Sequence, residues 1–414
     1  MRKQLELLSP VGSFESLHAA ISAGADAIYF GVEQLNMRAK SINSFAIDDL
    51  REIRSICNKH NIKAYITLNT VMYDHDLQLL RKILKTVRKE GIDAVIAADF
   101  AVLEMCRELQ IPVHISTQAN ISNIESVKFF ASFADVVVLA RELTLKQVTD
   151  ITREIKRKKI RGISGDLMRV EIFVHGALCM AISGKCYMSL HSQNASANRG
   201  ACTQNCRRPY VVIDKETGNE LEIDNEYIMS PKDLCTIDVF DQVLATGVDV
   251  LKIEGRGKGP EYAYVTTKCY REAIDAINAN TYTSEKIQQW KNELATVYNR
   301  GFWEGYYLGR KLGEWTPQPG SIATEKKIYI AKGSGYYPRI QVGEFVVEAQ
   351  TLKKGDKVLI TGRKFGVHEL VLDDFHVDGH PAIEATAGDK LTLPLPVTLS
   401  KNDKLFKIIP TQNG

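Results

Sequence analysis

A pattern that recurs four times limits the fold of this chain more than any other feature of its sequence. Each copy has a glycine or an aromatic residue two positions before an aspartate, and then a short apolar run: GADAIYFG, GIDAVIAAD, FADVVVLA and GVDVLKIEG. The aspartates are Asp26, Asp93, Asp135 and Asp249, which lie 67, 42 and 114 residues apart. At about forty residues a unit, these intervals predict two, one and three βα units.

The runs between these copies alternate helical and strand patterns. SFESLHAAISAG predicts a helix, with Ser13 as its N-cap and Gly24 as its stop. Near-continuous β-branched runs are typical of parallel strands buried on both faces. We therefore predict an α/β fold with a (β/α)8 TIM-like barrel, regular or irregular, over residues 1–280, and a doubly wound sheet as the alternative. The strand ends, where a barrel has its active site, carry Asn69, Asp99, Gln118, Arg141, His175 and Glu254.

The character of the sequence changes beyond residue 280. Residues 281–320 read as a helical, aromatic connector. Residues 321–414 read as a small antiparallel β-barrel domain, because short strands alternate with turn signals such as KKGDKV, AGDKL and KNDKL. We expect this domain either to position a substrate or only to support the barrel.

Four of the eight cysteines lie in one stretch, GALCMAISGKCYMSLHSQNASANRGACTQNCRRPY. Cys179 and Cys186 are spaced Cys-x6-Cys, and Cys202 and Cys206 are spaced Cys-x3-Cys. Four thiolates suit zinc or an iron–sulfur cluster, and irregular loop spacing favours the cluster. Unrelated loop thiols are the alternative.

The remaining cysteines and the absence of targeting signals complete this picture. Cys57, Cys106 and Cys269 are expected to pack in helices, and Cys235 is either a spare ligand or a core residue. The sequence has no signal-peptide pattern and no run of eighteen apolar residues. We therefore expect a cytoplasmic protein with no membrane contact, in which thiols stay reduced.

Charged residues cluster at one predicted strand end. LKIEGRGKG places Lys252, Glu254, Arg256 and Lys258 there. These groups are expected either to clamp a dicarboxylate or to form only a salt-bridge network. The residues that we assign to co-substrate binding are Arg38, Asn69, Gln118, Lys252 and Arg256. Glu254 and His175 are assigned to acid–base chemistry, although His175, like His114, also fits a core imidazole.

Three features are candidates for contact with RNA. The net charge of +3 does not argue for nucleic acid by itself. The basic run REIKRKKIRG contacts phosphates or forms a solvated helix face. Arg207, Arg208 and Lys258 are better candidates because the first two adjoin a cysteine and the third ends a strand. The connector aromatics either stack on bases or pack between the domains; they are Phe302, Trp303, Tyr306, Tyr307 and Trp315.

Long motifs in this chain resemble the collagenase-like family labelled U32 peptidases. They are LLSPVGSFESLHAAISAGADAIYFG, HISTQAN, EIFVHGALCMAISGKCYMS, NRGACTQNCRRPY and LKIEGRGKGPEY. The resemblance implies a 4Fe–4S cluster on Cys179, Cys186, Cys202 and Cys206, in a family whose members hydroxylate RNA or quinone precursors. CRRPY and the C-terminal β module resemble the branch that makes 5-hydroxyuridine at the wobble position of tRNA. Prephenate is that branch's implied hydroxyl source.

Two other functions stay open from the sequence. A peptidase has little support, because neither the zinc-protease motif HExxH nor the serine-nucleophile motif GxSxG occurs. Peptidase activity would then require a loop thiol that is paired with His175 as its base. A non-catalytic iron–sulfur subunit that assembles with a paralogue is the third hypothesis, and a homo-oligomer is also open.

Overall fold

The structure is a computed structural model that describes residues 5–37, 45–211, 213, 215–218 and 227–411. Its first part contains β1 (Glu6–Pro10), α1 (Phe14–Ser22), β2 (Ala27–Phe30), α2 (Leu50–Lys59), β3 (Lys63–Thr67), α3 (Leu77–Glu90), β4 (Ala94–Ala97), α4 (Phe100–Glu108), β5 (Val113–Ile115), α5 (Ile124–Phe130), β6 (Val136–Val138), α6 (Leu145–Lys158), β7 (Arg169–Gly176), α7 (Met188–Gln193), β8 (Asp233–Cys235), α8 (Phe240–Ala245), β9 (Val250–Ile253) and α9 (Pro260–Asn278). The second part contains α10 (Ser284–Thr296), β10 (Phe302–Trp303), β11 (Glu325–Tyr337), β12 (Val342–Val347), β13 (Leu352–Lys353), β14 (Lys357–Gly362), β15 (Gly366–Val371), β16 (His376–Val377), β17 (His380–Pro381), β18 (Glu384–Ala385), β19 (Lys390–Pro394) and β20 (Lys404–Pro410).

Eight parallel strands close into a barrel. Pairing runs from β1 through β7 in chain order, then from β7 to β9, and from β9 back to β1. Strands β2, β4 and β6 are buried at every residue, because helices cover their outer faces. The predicted TIM-like barrel is confirmed, and the doubly wound alternative was wrong.

The barrel is irregular beside β7. The last two residues of β7 pair antiparallel with β8, which lies outside the closed barrel, and β10 adds to β8 in parallel. The register of β7 against β9 shifts between Phe173 and His175, which marks a β-bulge. The bulge and the extra strands form where the cysteine-rich segment leaves the barrel.

The repeated aspartates have a common structural role. Each precedes a strand and accepts a backbone N–H from a neighbouring segment: Asp26 from Leu7, Asp93 from Ala64, Asp135 from Ser164 and Asp249 from Val170. The prediction of one βα unit between the second and third aspartates was wrong, because two short units, β4 with α4 and β5 with α5, fit there. The last interval holds β7, the cysteine loop and β8 before β9.

The C-terminal part is antiparallel, as predicted. Its main sheet has the order β15-β14-β20-β11-β12-β19-β16-β17, and β13 pairs with β18. It has its own apolar core around Ile330, Phe345 and Leu405. It packs on the barrel through α1, where Gly366 has φ +86° and lies so close that a Cβ would stand 2.4 Å from the Ala19 nitrogen.

The connector packs mainly against the barrel and not between the barrel and the C-terminal part. Trp303 and Tyr307 belong to the barrel core, and the Tyr307 hydroxyl donates to the Phe173 carbonyl at 2.6 Å. The expectation that these aromatics pack between the domains therefore finds no support at these two residues.

Candidate functional site

The cysteine-rich segment, residues 176–210 (the cysteine loop), covers the mouth of the barrel at the carboxyl ends of its strands. It begins at Gly176, whose φ is +107°. A Cβ on Gly176 would stand 2.4 Å from the Glu254 carbonyl oxygen. Only glycine allows β7 and the end of β9 to approach so closely while the chain turns into the loop.

Two arginines fasten the loop to the rest of the protein. The Arg207 guanidinium donates to the Leu178 carbonyl, to the Ser230 hydroxyl at 3.0 Å and to the Pro231 carbonyl at 2.6 Å. Arg199 forms a salt bridge with Asp76, which precedes α3. The loop is therefore held in shape by contacts that do not involve its thiols.

All four loop cysteines line one cavity of about 180 Å³ at the barrel mouth, which we call the mouth cavity. None of them forms a disulfide. Burial raises the pKa of the Cys206 thiol, Arg207 lowers it, and the other three thiols raise it. The four sulfurs are therefore close enough to influence one another.

The donor set consists of four soft thiol ligands that line one cavity. Four free thiols around one cavity fit an iron–sulfur cluster, whose ligands surround several metals.

Amides form one side of the mouth cavity. The Asn69 side-chain amide donates to Gln118 Oε1 at 2.8 Å, and the Gln118 amide donates back to the Asn69 carbonyl at 2.6 Å. Ser116 also donates to Gln118 Oε1. The structure brings these two predicted residues together as a rigid polar pair.

A buried ion pair lies beneath the mouth cavity. Lys252 Nζ donates to Glu171 Oε1 at 2.6 Å, and His114 Nδ1 is 3.5 Å from Glu171 Oε2. Burial alone would raise the pKa of Glu171, but Lys252 and His114 together outweigh burial and bring it to about 2. Lys252 also stands 4.5 Å from the centre of the Tyr29 ring. Its charge is thus matched within the barrel, as the salt-bridge alternative predicted, while the residue still lines the cavity.

The other charges of the β9 end surround the same cavity. The buried Arg256 donates to Thr67 and, at 3.3 Å, to Asn36. Glu254 lines the mouth cavity and also an adjoining cavity, its outer extension, which shares Cys179, Cys202 and Cys206 with it. Lys258 lines that extension and stands over the ring of Tyr298. Arg38 lies outside the described residues.

His175 is not at the cavity. Its ring packs among Tyr262, Tyr270 and Phe302, with centroids 5.6–6.0 Å away, and is 1% exposed. Burial lowers its pKa to about 3, so the ring is neutral. Side chains along a strand point alternately into and out of the barrel, and the bulge in β7 reverses this alternation after Phe173. The His175 ring therefore points outward. The structure gives the assignment of His175 to acid–base chemistry no support.

The other predicted residues divide between the site and the core. Cys235 is buried beside Tyr270, and burial raises its pKa to about 11; it is a core residue. The Arg207 guanidinium is occupied within the protein, whereas Arg208 is exposed. The basic run lies at the end of α6, at the opposite end of the barrel from the cysteine loop, so contact with RNA there would be remote from the site.

Arg141 is the residue whose importance the sequence did not indicate beyond its place at a strand end. Its guanidinium stacks 4.0 Å from the Phe173 ring centre and donates to the Ala177 carbonyl at 3.0 Å. Its Nε is buried and has no hydrogen-bond partner in the part of the chain that the structure describes. Such a donor requires a partner from outside the chain, either a water or a ligand.

Comparison with known proteins gives three informative relatives. The model of peptidase family U32 matches residues 12–317, which contain the cysteine loop. A protein named collagenase from Porphyromonas gingivalis is 50% identical over 97% of this chain and 97% of its own length. A tRNA hydroxylation protein P1 from Bacillus subtilis is 34% identical over 74% of this chain and 72% of that protein. A 23S rRNA 5-hydroxycytidine C2501 synthase from Escherichia coli is 35% identical over 66% of this chain and 40% of its own length. No helix in the described ranges is long and apolar enough to cross a membrane.

Proposed function

The chain belongs to peptidase family U32, and on that basis we propose that it is an RNA-modifying enzyme that hydroxylates the wobble uridine of tRNA to 5-hydroxyuridine without using oxygen. The convergence of four free thiols on a cavity that is also lined by Arg141, Lys252 and Arg256 carries the proposal. Two of the relatives are named for RNA hydroxylation. The hydroxyl group would come from prephenate.

Cys179, Cys186, Cys202 and Cys206 would hold a 4Fe–4S cluster. When bound, this group supplies one-electron redox chemistry beside the cavity. The loop places the thiols above the barrel mouth, and Gly176 sets how closely they approach the end of β9.

The cavity residues would bind and orient the co-substrate. Arg256 and Arg141 provide guanidinium groups that suit a carboxylate. The Asn69–Gln118 pair offers fixed amide dipoles for neutral oxygens of the same molecule. The carboxylate of Glu254 is the group at the cavity that would hold or accept a proton. The buried Lys252–Glu171 pair keeps the floor rigid and balanced in charge.

Peptidase activity is the second candidate, because the relative with 50% identity is named collagenase. A thiol protease needs a base beside its nucleophile. His175 is enclosed by aromatic rings and has a pKa of about 3, so it is unsuited to activate a loop thiol. The chemistry of the site therefore favours RNA modification.

The proposal is tested by mass spectrometry of nucleosides from total tRNA of a strain that lacks the gene. Complementation with the wild-type gene should restore 5-hydroxyuridine and its derivatives, and Cys202→Ala should not. Cys106→Ala, a buried helix cysteine away from the cavity, is the matched control and should restore them. An unchanged tRNA profile on deletion, in a strain without a redundant homologue, would contradict the proposal.

A further inference from the structure

A second cavity, of about 240 Å³, lies on the outer side of the cysteine loop. We call it the aromatic pocket, and its lining includes Trp303, Tyr306, Trp315 and residues 178–183. We propose that this pocket receives one unstacked pyrimidine base, the uracil that is to be modified. This inference rests on the proposed function and adds the place where the substrate binds.

The aromatic wall is rigid and already formed. The Trp303 indole donates to the Lys232 carbonyl at 3.1 Å, and its ring meets that of Tyr306 edge to face with centroids 5.3 Å apart. Trp315 is held by a β-bridge to Pro231. Gly313 faces all three rings, since a Cβ there would stand 3.5–3.8 Å from each of them. Trp303 is buried and supports the wall, so a flat ring would stack on the partly exposed rings of Tyr306 and Trp315.

Other residues of the lining are apolar yet open to solvent. Met180 is 47% exposed and Ile182 is 55% exposed, although both line the pocket. Exposed apolar side chains gathered around one cavity are typical of a binding site. A planar base inserted there would contact both the aromatic and the apolar side chains of the lining.

The polar end of the pocket matches the edge of uracil. The Arg141 side chain lines the pocket with a guanidinium donor, and a uracil carbonyl oxygen is an acceptor for it. Glu142, which also lines the pocket, offers an acceptor for a ring N–H.

The pocket adjoins the candidate cluster site. Cys179 and Arg141 line both the aromatic pocket and the mouth cavity. A base held in the pocket would therefore lie beside the wall that contains a cluster ligand, close to the co-substrate. Enzymes that modify bases take the target out of its stack to reach such a site.

The test uses the full-length protein and a synthetic anticodon stem–loop that carries uridine at the wobble position, with an abasic stem–loop of the same sequence for comparison. Fluorescence anisotropy gives the Kd of each. Trp315→Ala should raise the Kd for the uridine stem–loop about tenfold, without changing the Kd for the abasic one. Trp315→Phe should stay close to wild type, as should Phe129→Ala, which removes an exposed ring from α5.

A second variant keeps the test decisive if Trp315→Ala fails to fold. Ile182→Asp, in the exposed part of the lining, should weaken binding of the uridine stem–loop in the same selective way. An equal loss with both stem–loops, no loss with either variant, or competition by a proline-rich peptide but not by RNA would overturn the pocket assignment. If these variants restore 5-hydroxyuridine normally in the deletion strain, the pocket inference fails while the proposed function stands. If the deletion leaves tRNA unchanged, the proposed function fails first.

Discussion

Lysine 252 provides the sharpest test of how the barrel interior is stabilised. Its Nζ lies 2.6 Å from Glu171, which is completely buried. A pKa of about 2 for Glu171, against an ordinary value of 4.5, corresponds to roughly 3 kcal/mol of stabilisation. Lys252→Met leaves that carboxylate buried without its strongest partner, and breaking a buried pair in this way costs about 3–5 kcal/mol.

The dependence of this loss on pH has a definite sign. In the wild type the pKa of Glu171 is below its unfolded value, so its contribution is complete above about pH 4.5 and is lost as the pH falls towards 2. In Lys252→Met, burial is no longer opposed by the lysine, so the pKa of Glu171 rises and the folded protein binds a proton. The deficit in unfolding free energy should therefore be largest at pH 8 and smaller at pH 5.

Guanidinium unfolding followed by tryptophan fluorescence measures this deficit in the barrel, because Trp290 and Trp303 pack in its core. The double variant Lys252→Met, Glu171→Gln should recover most of the loss. Lys128→Met, which breaks an exposed pair on α5, should cost less than about 1 kcal/mol. A stable Lys252→Met protein at pH 8, or a deficit that grows as the pH falls, would refute the reasoning.

Three other predictions concern the loop and its surroundings. Cys206→Ala should lower the iron and acid-labile sulfide content of anaerobically purified protein, while Cys235→Ala, a core change, should leave both at the wild-type level. Gly176→Ala should destabilise the barrel by about 2 kcal/mol or more, because it adds strain at positive φ to a backbone clash; an unchanged denaturation midpoint contradicts this. His175→Phe should keep its iron content and restore 5-hydroxyuridine in the deletion strain, since the ring is a core residue; loss of the nucleoside in a folded, iron-loaded variant would return His175 to the catalytic set.

The sequence was most informative where local pattern determines structure. The aspartate repeat predicted the barrel, because each aspartate accepts a hydrogen bond from a neighbouring segment near the start of a strand. Ser13 caps α1 as expected, since its side chain accepts from the Ser16 nitrogen. The cysteine spacing identified the loop, and the structure places all four thiols on one cavity.

The failures come from effects that have no local signature. The bulge that turns His175 outward depends on the pairing of β7 with both β9 and β8. The sequence suggested that Arg207 binds phosphate. In the structure its guanidinium instead donates to the carbonyls of Leu178 and Pro231, which are distant from it along the chain. Arg141 gains its significance only when the loop, the connector and the barrel meet around it.

The two arginine clamps on the cysteine loop bear on how the protein matures. Arg199 and Arg207 secure the loop through a carboxylate, a hydroxyl and backbone carbonyls, and none of these contacts needs a metal. If the loop holds the proposed cluster, polypeptide folding and cofactor delivery are separable events, and a cluster-assembly system would act on a protein that is already folded. Loss of the cofactor under oxidative stress would leave a folded, reloadable apoprotein, so repair in place could replace new synthesis.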